Sequence, residues 1–207
     1  MKKKYQSHKS RLFALAVLSV FAAGCSSIPM KTANLIHSAK YKVSIGDLRG
    51  SIADLEKTLE LDPTNLEASV TMAQVQYRLG NLKKAEEYAR AAIRIAPTDF
   101  RAIGILGLLN LRKGAYTSGI NRVAAALEIF NGIEPVGGNV PLEPEAILKN
   151  MKEELARHKE ISPDQIQQLE SAFWAKVEWY EFDEEYRKWH FYSFYDVRPD
   201  GGDSYPN

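Results

Sequence analysis

Residues 46–63 read GDLRGSIADLEKTLELDP, residues 80–97 read GNLKKAEEYARAAIRIAP, and residues 114–131 read GAYTSGINRVAAALEIFN. Gly46, Gly80 and Gly114 are 34 residues apart, as are Pro63 and Pro97. Apolar positions keep the same register: Leu48, Leu55 and Leu59; Leu82, Ala89 and Ile93; Tyr116, Val123 and Leu127. Small residues recur seven positions before each glycine (Ala39, Ala73, Gly107) and five after it (Ser51, Ala85, Gly119). Self-similarity at a fixed period marks a chain built from repeated supersecondary units.

Each period reads as two amphipathic helices of about 13 residues around a glycine turn. The glycine stops the first helix in a left-handed conformation that side chains with a Cβ resist. Asp47 and Asn81 follow it and are suited to cap the second helix. The proline ends the second helix and leads into the next unit. Paired small residues let the two helices approach closely. One such pair cannot bury its apolar face alone, so the units must stack.

This pattern resembles the tetratricopeptide repeat over residues 32–131, in about three units. The implied fold is all-α, a helix-turn-helix solenoid with a C-terminal helical extension. The large aromatics of the family's first helix are absent, and Asn131 stands where proline belongs in the third unit. The resemblance places the first helix of each unit on a concave, partner-binding face. Its register assigns Ile36, Lys40 and Val43 to that face, then Val70, Gln74 and Tyr77, then Arg101, Leu108 and Leu111, with Ala33, Glu67 and Gly104 among them. With Ile36, Val70 and Gly104 at key places, the carboxylate clamp of some family members is not reproduced. Such a face suits an extended segment or an amphipathic helix. The alternative is that it packs against the protein's own C-terminal region.

The chain's start is of another kind. Residues 1–11, MKKKYQSHKSR, hold five basic residues and no acidic one, and an apolar run from Leu12 to Ala23 follows. That run is too short to cross a bilayer. A basic start, a short apolar core and small residues describe an export signal. Ala22-Ala23-Gly24-Cys25 resembles the lipobox of bacterial lipoproteins, with Ala22 in place of the commoner Leu. The resemblance implies cleavage after residue 24, lipid on Cys25 (diacylglycerol plus an amide-linked acyl chain such as palmitate), and a tether over 25–31. Two or more acyl chains hold a protein stably on a membrane. Ser26 then implies the outer membrane, on its periplasmic side, if the source is Gram-negative.

The full chain has 207 residues and a net charge of +1. Without residues 1–24 it has 22 basic against 26 acidic residues, so no nucleic-acid partner is expected. The single cysteine allows neither an internal disulfide nor a cysteine zinc cluster.

Residues 131–141 form a turn-rich loop, and a helix is expected from about Pro144, with Ile147, Met151 and Leu155 on its apolar face. Ser162-Pro163-Asp164-Gln165 is a helix-start signature. Ile166, Leu169, Phe173, Val177 and Tyr180 follow one stripe, and Trp179, Phe182, Tyr186 and Trp189 a second. Residues 171–195 hold 11 of the chain's 21 aromatics and all three tryptophans. The first stripe reads as packing. Trp189, Phe191, Tyr192, Phe194 and Tyr195 read equally as packing or as a partner surface, since Trp and Tyr dominate interface hot spots. A mobile tail is expected over 196–207.

No catalytic constellation is legible. His37, His158 and His190 lack metalloprotease spacing, and Glu154 with His158 reads as a surface pair. No phosphate loop, dinucleotide fingerprint or serine elbow occurs. The expectation is a non-catalytic scaffold or adaptor with no cofactor and no metal. It would bind another envelope protein or peptide segment and serve a pilus, secretion or outer-membrane assembly machine. The alternatives are an adaptor for a cell-wall hydrolase, or a glycan-binding or glycan-acting protein using the aromatic segment.

Overall fold

The computed structural model describes residues 27–133 and 143–195, with side chains described for 28–133 and 144–181. The expected signal segment, Cys25, most of the 131–141 loop and the tail at 196–207 lie outside the described residues. Eight α-helices make up the described chain: α1 Ser27–Ser44, α2 Leu48–Leu61, α3 Leu66–Arg78, α4 Leu82–Ile95, α5 Phe100–Arg112, α6 Tyr116–Asn131, α7 Glu143–Ala156 and α8 Pro163–Tyr195. The fold class is all-α, as the periodicity requires. The chain divides into two compact units, 1–105 and 106–207, so the boundary falls inside α5 rather than at the end of the third repeat.

In the first unit α1 and α2 form one helix pair and α3 and α4 the next. Gly46 and Gly80 have φ of +83° and +78°. At each, the glycine N–H reaches the carbonyl three residues back and the following N–H the carbonyl five back, at 3.1 and 2.8 Å for Gly46 and 2.9 and 2.8 Å for Gly80. This pair of hydrogen bonds satisfies orphan carbonyls of the first helix. Asp47 caps α2 through the Gly50 N–H at 2.9 Å. Asn81 does not cap α4; its amide donates to Gln76 Oε1 instead, at 2.8 Å. The caps the sequence reading missed are Asn65, which accepts from the Ala68 N–H, and Asp99, which accepts from the Ala102 N–H. They end the equivalent stretches LELDPTN, residues 59–65, and IRIAPTD, residues 93–99. The core is Ala39, Val43, Leu55, Ala68, Met72 and Val75, all buried, with a second cluster of Val70, Ala92 and Ala102.

The tether expected over 25–31 is already helix from Ser27. A chain that must begin stacking at Thr32, which is buried, gains a turn of helix ahead of it for little entropic cost.

In the second unit Gly114 repeats the same turn, with φ of +77° and bonds of 3.0 and 2.9 Å. Without a proline stop α6 runs to 16 residues, against 14 for α2 and α4. The small-residue pair is tightest here. A Cβ on Gly107 would lie 2.7 Å from Val123 Cγ2 and 2.9 Å from the Val123 backbone nitrogen, and one on Gly119 2.6 Å from Leu111 Cδ2. On α7 Leu148 and Met151 are the buried apolar residues, with Ile147 and Leu155 half-buried. The reciprocal capping box of α8 forms: the Ser162 N–H donates to Gln165 Oε1 at 2.9 Å, and the Gln165 N–H to Ser162 Oγ at 3.2 Å. Leu169, Phe173 and Val177 are buried, as their stripe predicts.

Candidate functional site

The first helices of the repeats bring Lys40, Glu67 and Arg101 together in the first unit. Arg101 donates to both Glu67 oxygens, Nη1 to Oε1 at 2.9 Å and Nη2 to Oε2 at 3.0 Å, and Nη2 also reaches Asp99 Oδ2 at 2.8 Å. Lys40 pairs with Glu67 Oε1. The Arg101 side chain is only 5% exposed. Asp99 has two tasks: one oxygen caps α5 and the other holds Arg101. Burial alone would raise the Glu67 carboxyl. The charges of Arg101 and Lys40 and their hydrogen bonds outweigh it and hold the group down at about 2. Burial opposes the charge on Arg101, but Glu67 and Asp99 raise it above its ordinary value. Glu67 and Arg101 are 34 residues apart. Opposite charges at the same place in consecutive repeats were the legible signal for this bridge.

Most of the assigned face is not an open surface. Val43 belongs to the core of the first helix pair, and Val70 packs with Ala92 and Ala102. Gln74, Tyr77, Arg101, Leu108 and Leu111 are buried too; of the assigned face Ile36, Lys40 and Glu67 are half-buried and Ala33 is exposed. Leu111 lies over Gly119 of its own helix pair. The physical reason is visible in the helices. Every residue of α3 from Ala68 to Tyr77 is buried, and α5, FRAIGILGLLNLR, carries apolar side chains all round. A helix apolar on every side is a buried helix. The alternative for this face is packing against the C-terminal region; Val43, Val70 and Leu111 pack instead against residues of the repeats themselves.

In the second unit Arg112 of α5 holds Glu170 of α8 by two hydrogen bonds, Nε to Oε1 at 2.7 Å and Nη2 to Oε2 at 2.6 Å. Lys176, fully buried, donates to Glu145 Oε1 at 2.8 Å and stands 4.9 Å over the Phe130 ring. Phe130 meets Trp179 edge to face at 5.9 Å. Burying an ammonium is costly unless it is paired, so Lys176 fixes α8 against α6 and α7. Trp189, Phe191, Tyr192, Phe194 and Tyr195 lie in α8, but their side chains are outside the described residues.

His37 is exposed on α1, and His158 does not act as half of a surface pair with Glu154. It ends α7 at φ +56°, while Glu154 pairs with the Gln165 amide. Among the described residues no group of three or more His, Cys, Asp or Glu side chains could hold a metal ion.

These helix pairs, glycine stops and small-residue contacts define a helical-repeat protein. The family described as tetratricopeptide repeat matches residues 45–109. An Arabidopsis thaliana protein, the CTR9 homolog, is 31% identical over 106 residues, 49% of this chain. The chain spans only 9% of that relative's length. Among solved structures, a crystal structure of MamA aligns with a TM-score of 0.49 and 18% identity, covering 74% of this chain and 81% of the other. MamA from Desulfovibrio magneticus aligns with a TM-score of 0.47 and 19% identity, covering 74% and 76%.

Proposed function

We propose that this protein is a non-catalytic scaffold, held by lipid on Cys25 at the periplasmic face of the outer membrane, that binds another envelope protein for an assembly machine. The observation that carries the reading is the combination of a tetratricopeptide array at 45–109 with a basic, apolar, Ala-Gly-Cys leader. Rigid stacked helices offer preformed surface and so reduce the ordering cost of capture, and an anchor raises local concentration at the membrane. Since the assigned residues of α3 and α5 other than Glu67 are buried, the aromatic end of α8 and the surface around Ile36 and Lys40 are the partner surfaces of this reading.

Fractionation of cells making the wild type and Cys25→Ser tests the anchor. The wild type should sediment with outer membrane and incorporate labelled palmitate, and the variant should do neither. A variant that stays membrane-bound sinks the anchor. Crosslinked pull-down of the lipidated protein tests the scaffold. It should recover an assembly component, and recovery should fall when Trp189 and Tyr192 are changed to Ala. Glycan binding or turnover that vanishes with Trp189→Ala would replace the scaffold by the glycan reading.

A further inference from the structure

The outward faces of α2 and α4 are charged: Arg49, Glu56, Lys57 and Glu60 on one, Lys83, Lys84, Glu87 and Arg90 on the other are exposed. The outward face of α1 carries no charge of that kind. Thr32, Ala39 and Val43 mark its packed side. Opposite them, at helical spacing, stand Met30, Ala33, Asn34, His37 and Tyr41, with Ile45 just past the helix end. All six are exposed, Met30 by 70% and Tyr41 and Ile45 by 61% each. Met30, Tyr41 and Ile45 are three of the five large apolar side chains exposed among the described residues, and they share one line along α1. Asn34 and His37 between them make the strip amphipathic rather than oily, which suits the polar depth of a membrane interface. The helix carries Lys31, Lys40 and Lys42 and no acidic residue. Lys40 and Lys42 pair with Glu67 and Asp54, while Lys31 is exposed beside the strip.

We infer that the outer face of α1 lies on the membrane surface, with Met30, Tyr41 and Ile45 in the headgroup boundary and Lys31 toward anionic headgroups. The inference rests on the anchor at Cys25. Met30 is five residues from that cysteine, at most about 18 Å of extended chain. The strip therefore starts where the acyl chains enter the bilayer and runs about 22 Å along it. A helix with an apolar strip and basic but no acidic residues is the form that binds interfaces of this composition. A second copy of the chain is a poorer occupant, since each Lys31 would meet a helix with no acidic residue to pair it.

The test uses the lipidated full chain in vesicles of phosphatidylethanolamine and phosphatidylglycerol with brominated acyl chains. Cys25 is the only cysteine, so once it is acylated an introduced thiol is the single labelling site. Fluorophores are placed by Tyr41→Cys and, on the charged outer face of α2, by Lys57→Cys; both positions are exposed. The label at 41 should be quenched several-fold more than the label at 57. Vesicle flotation separates the failures. Protein that floats with equal quenching at both sites overturns the inference and leaves the anchor standing. So does protein that floats and crosslinks through position 41 between two copies. Protein that does not float removes the anchor, and the inference with it.

Discussion

The two units use the same device, an ion pair with one buried partner, in different settings. In the first unit Glu67 and Arg101 belong to the repeat register, and each element around them is one the period describes. In the second unit Arg112 with Glu170, and Lys176 with Glu145, join helices of unlike origin, one end in the repeats or α7 and the other in α8. A repeated sequence announces its contacts, because each interface recurs. A cap is met once, so its contacts rest on charges that look solvated in the sequence. Lys176 is the plainest case, a lysine beside the apolar stripe that turns out to be fully buried.

The sharpest break of this comparison is Arg101→Ala. It leaves Asp99 and Glu67 facing each other with Lys40 alone, and should cost about 4 kcal/mol in urea unfolding. Arg112 is 46% exposed, so Arg112→Ala should cost about 2 kcal/mol, chiefly by leaving the buried Glu170 short of partners. Equal losses would show that the register adds nothing.

Acid sharpens the same contrast. Glu67 titrates at about 2, below its ordinary 4.5. Asp54 is also lowered: burial would raise it, but hydrogen bonds from Lys42 and Ser38 and the Lys42 charge prevail. A depressed carboxyl stabilises the fold fully above its unfolded value, and that stability drains as pH falls toward the folded value. The urea midpoint should therefore fall between pH 5 and about 2, and Glu67→Gln should fall less over that window. A variant whose midpoint falls as steeply as the wild type would place the acid sensitivity elsewhere.

Packing gives the next effect. Gly107→Ala must push Val123 and its backbone aside, at about 2 kcal/mol. The equivalent exchange in the previous repeat, Ala73→Gly, creates only a small void and should cost about 1 kcal/mol. Thermal unfolding of the two variants checks the order.

The smallest effect lies at the helix ends. His158 N–H reaches the Leu155 carbonyl at 3.0 Å and Lys159 N–H the Glu154 carbonyl at 2.9 Å. That is the turn made at Gly46, Gly80 and Gly114, with a histidine in the left-handed place. His158→Gly should stabilise by about 1 kcal/mol, and Gly80→Ala should destabilise by about the same. A destabilised His158→Gly would mean that the ring has a packing role.

Much of the fold was legible for reasons that can be named. The three glycines, the small-residue pairs and the Ser162–Gln165 box each express one local rule, and the structure obeys all of them. The candidate face was less legible. Position in the register identifies a helix face, but whether that face meets solvent depends on neighbouring helices. Val43, Val70 and Leu111 have the spacing of a lining and the surroundings of a core. Asn81 shows the same limit locally: its Nδ2 donates to Gln76 Oε1, and its side chain makes no cap bond to α4.

Ala33, Glu67 and Arg101 occupy one place in three successive units. Neutral, negative and positive in turn, they give the units a serial order. Exchange the second and third units, and an arginine would face Lys40. Copy the second unit in tandem, and glutamate would meet glutamate where Glu67 now meets Arg101. The fold is modular in its backbone but not in its charges, so its units cannot be shuffled or extended there without rewriting this position.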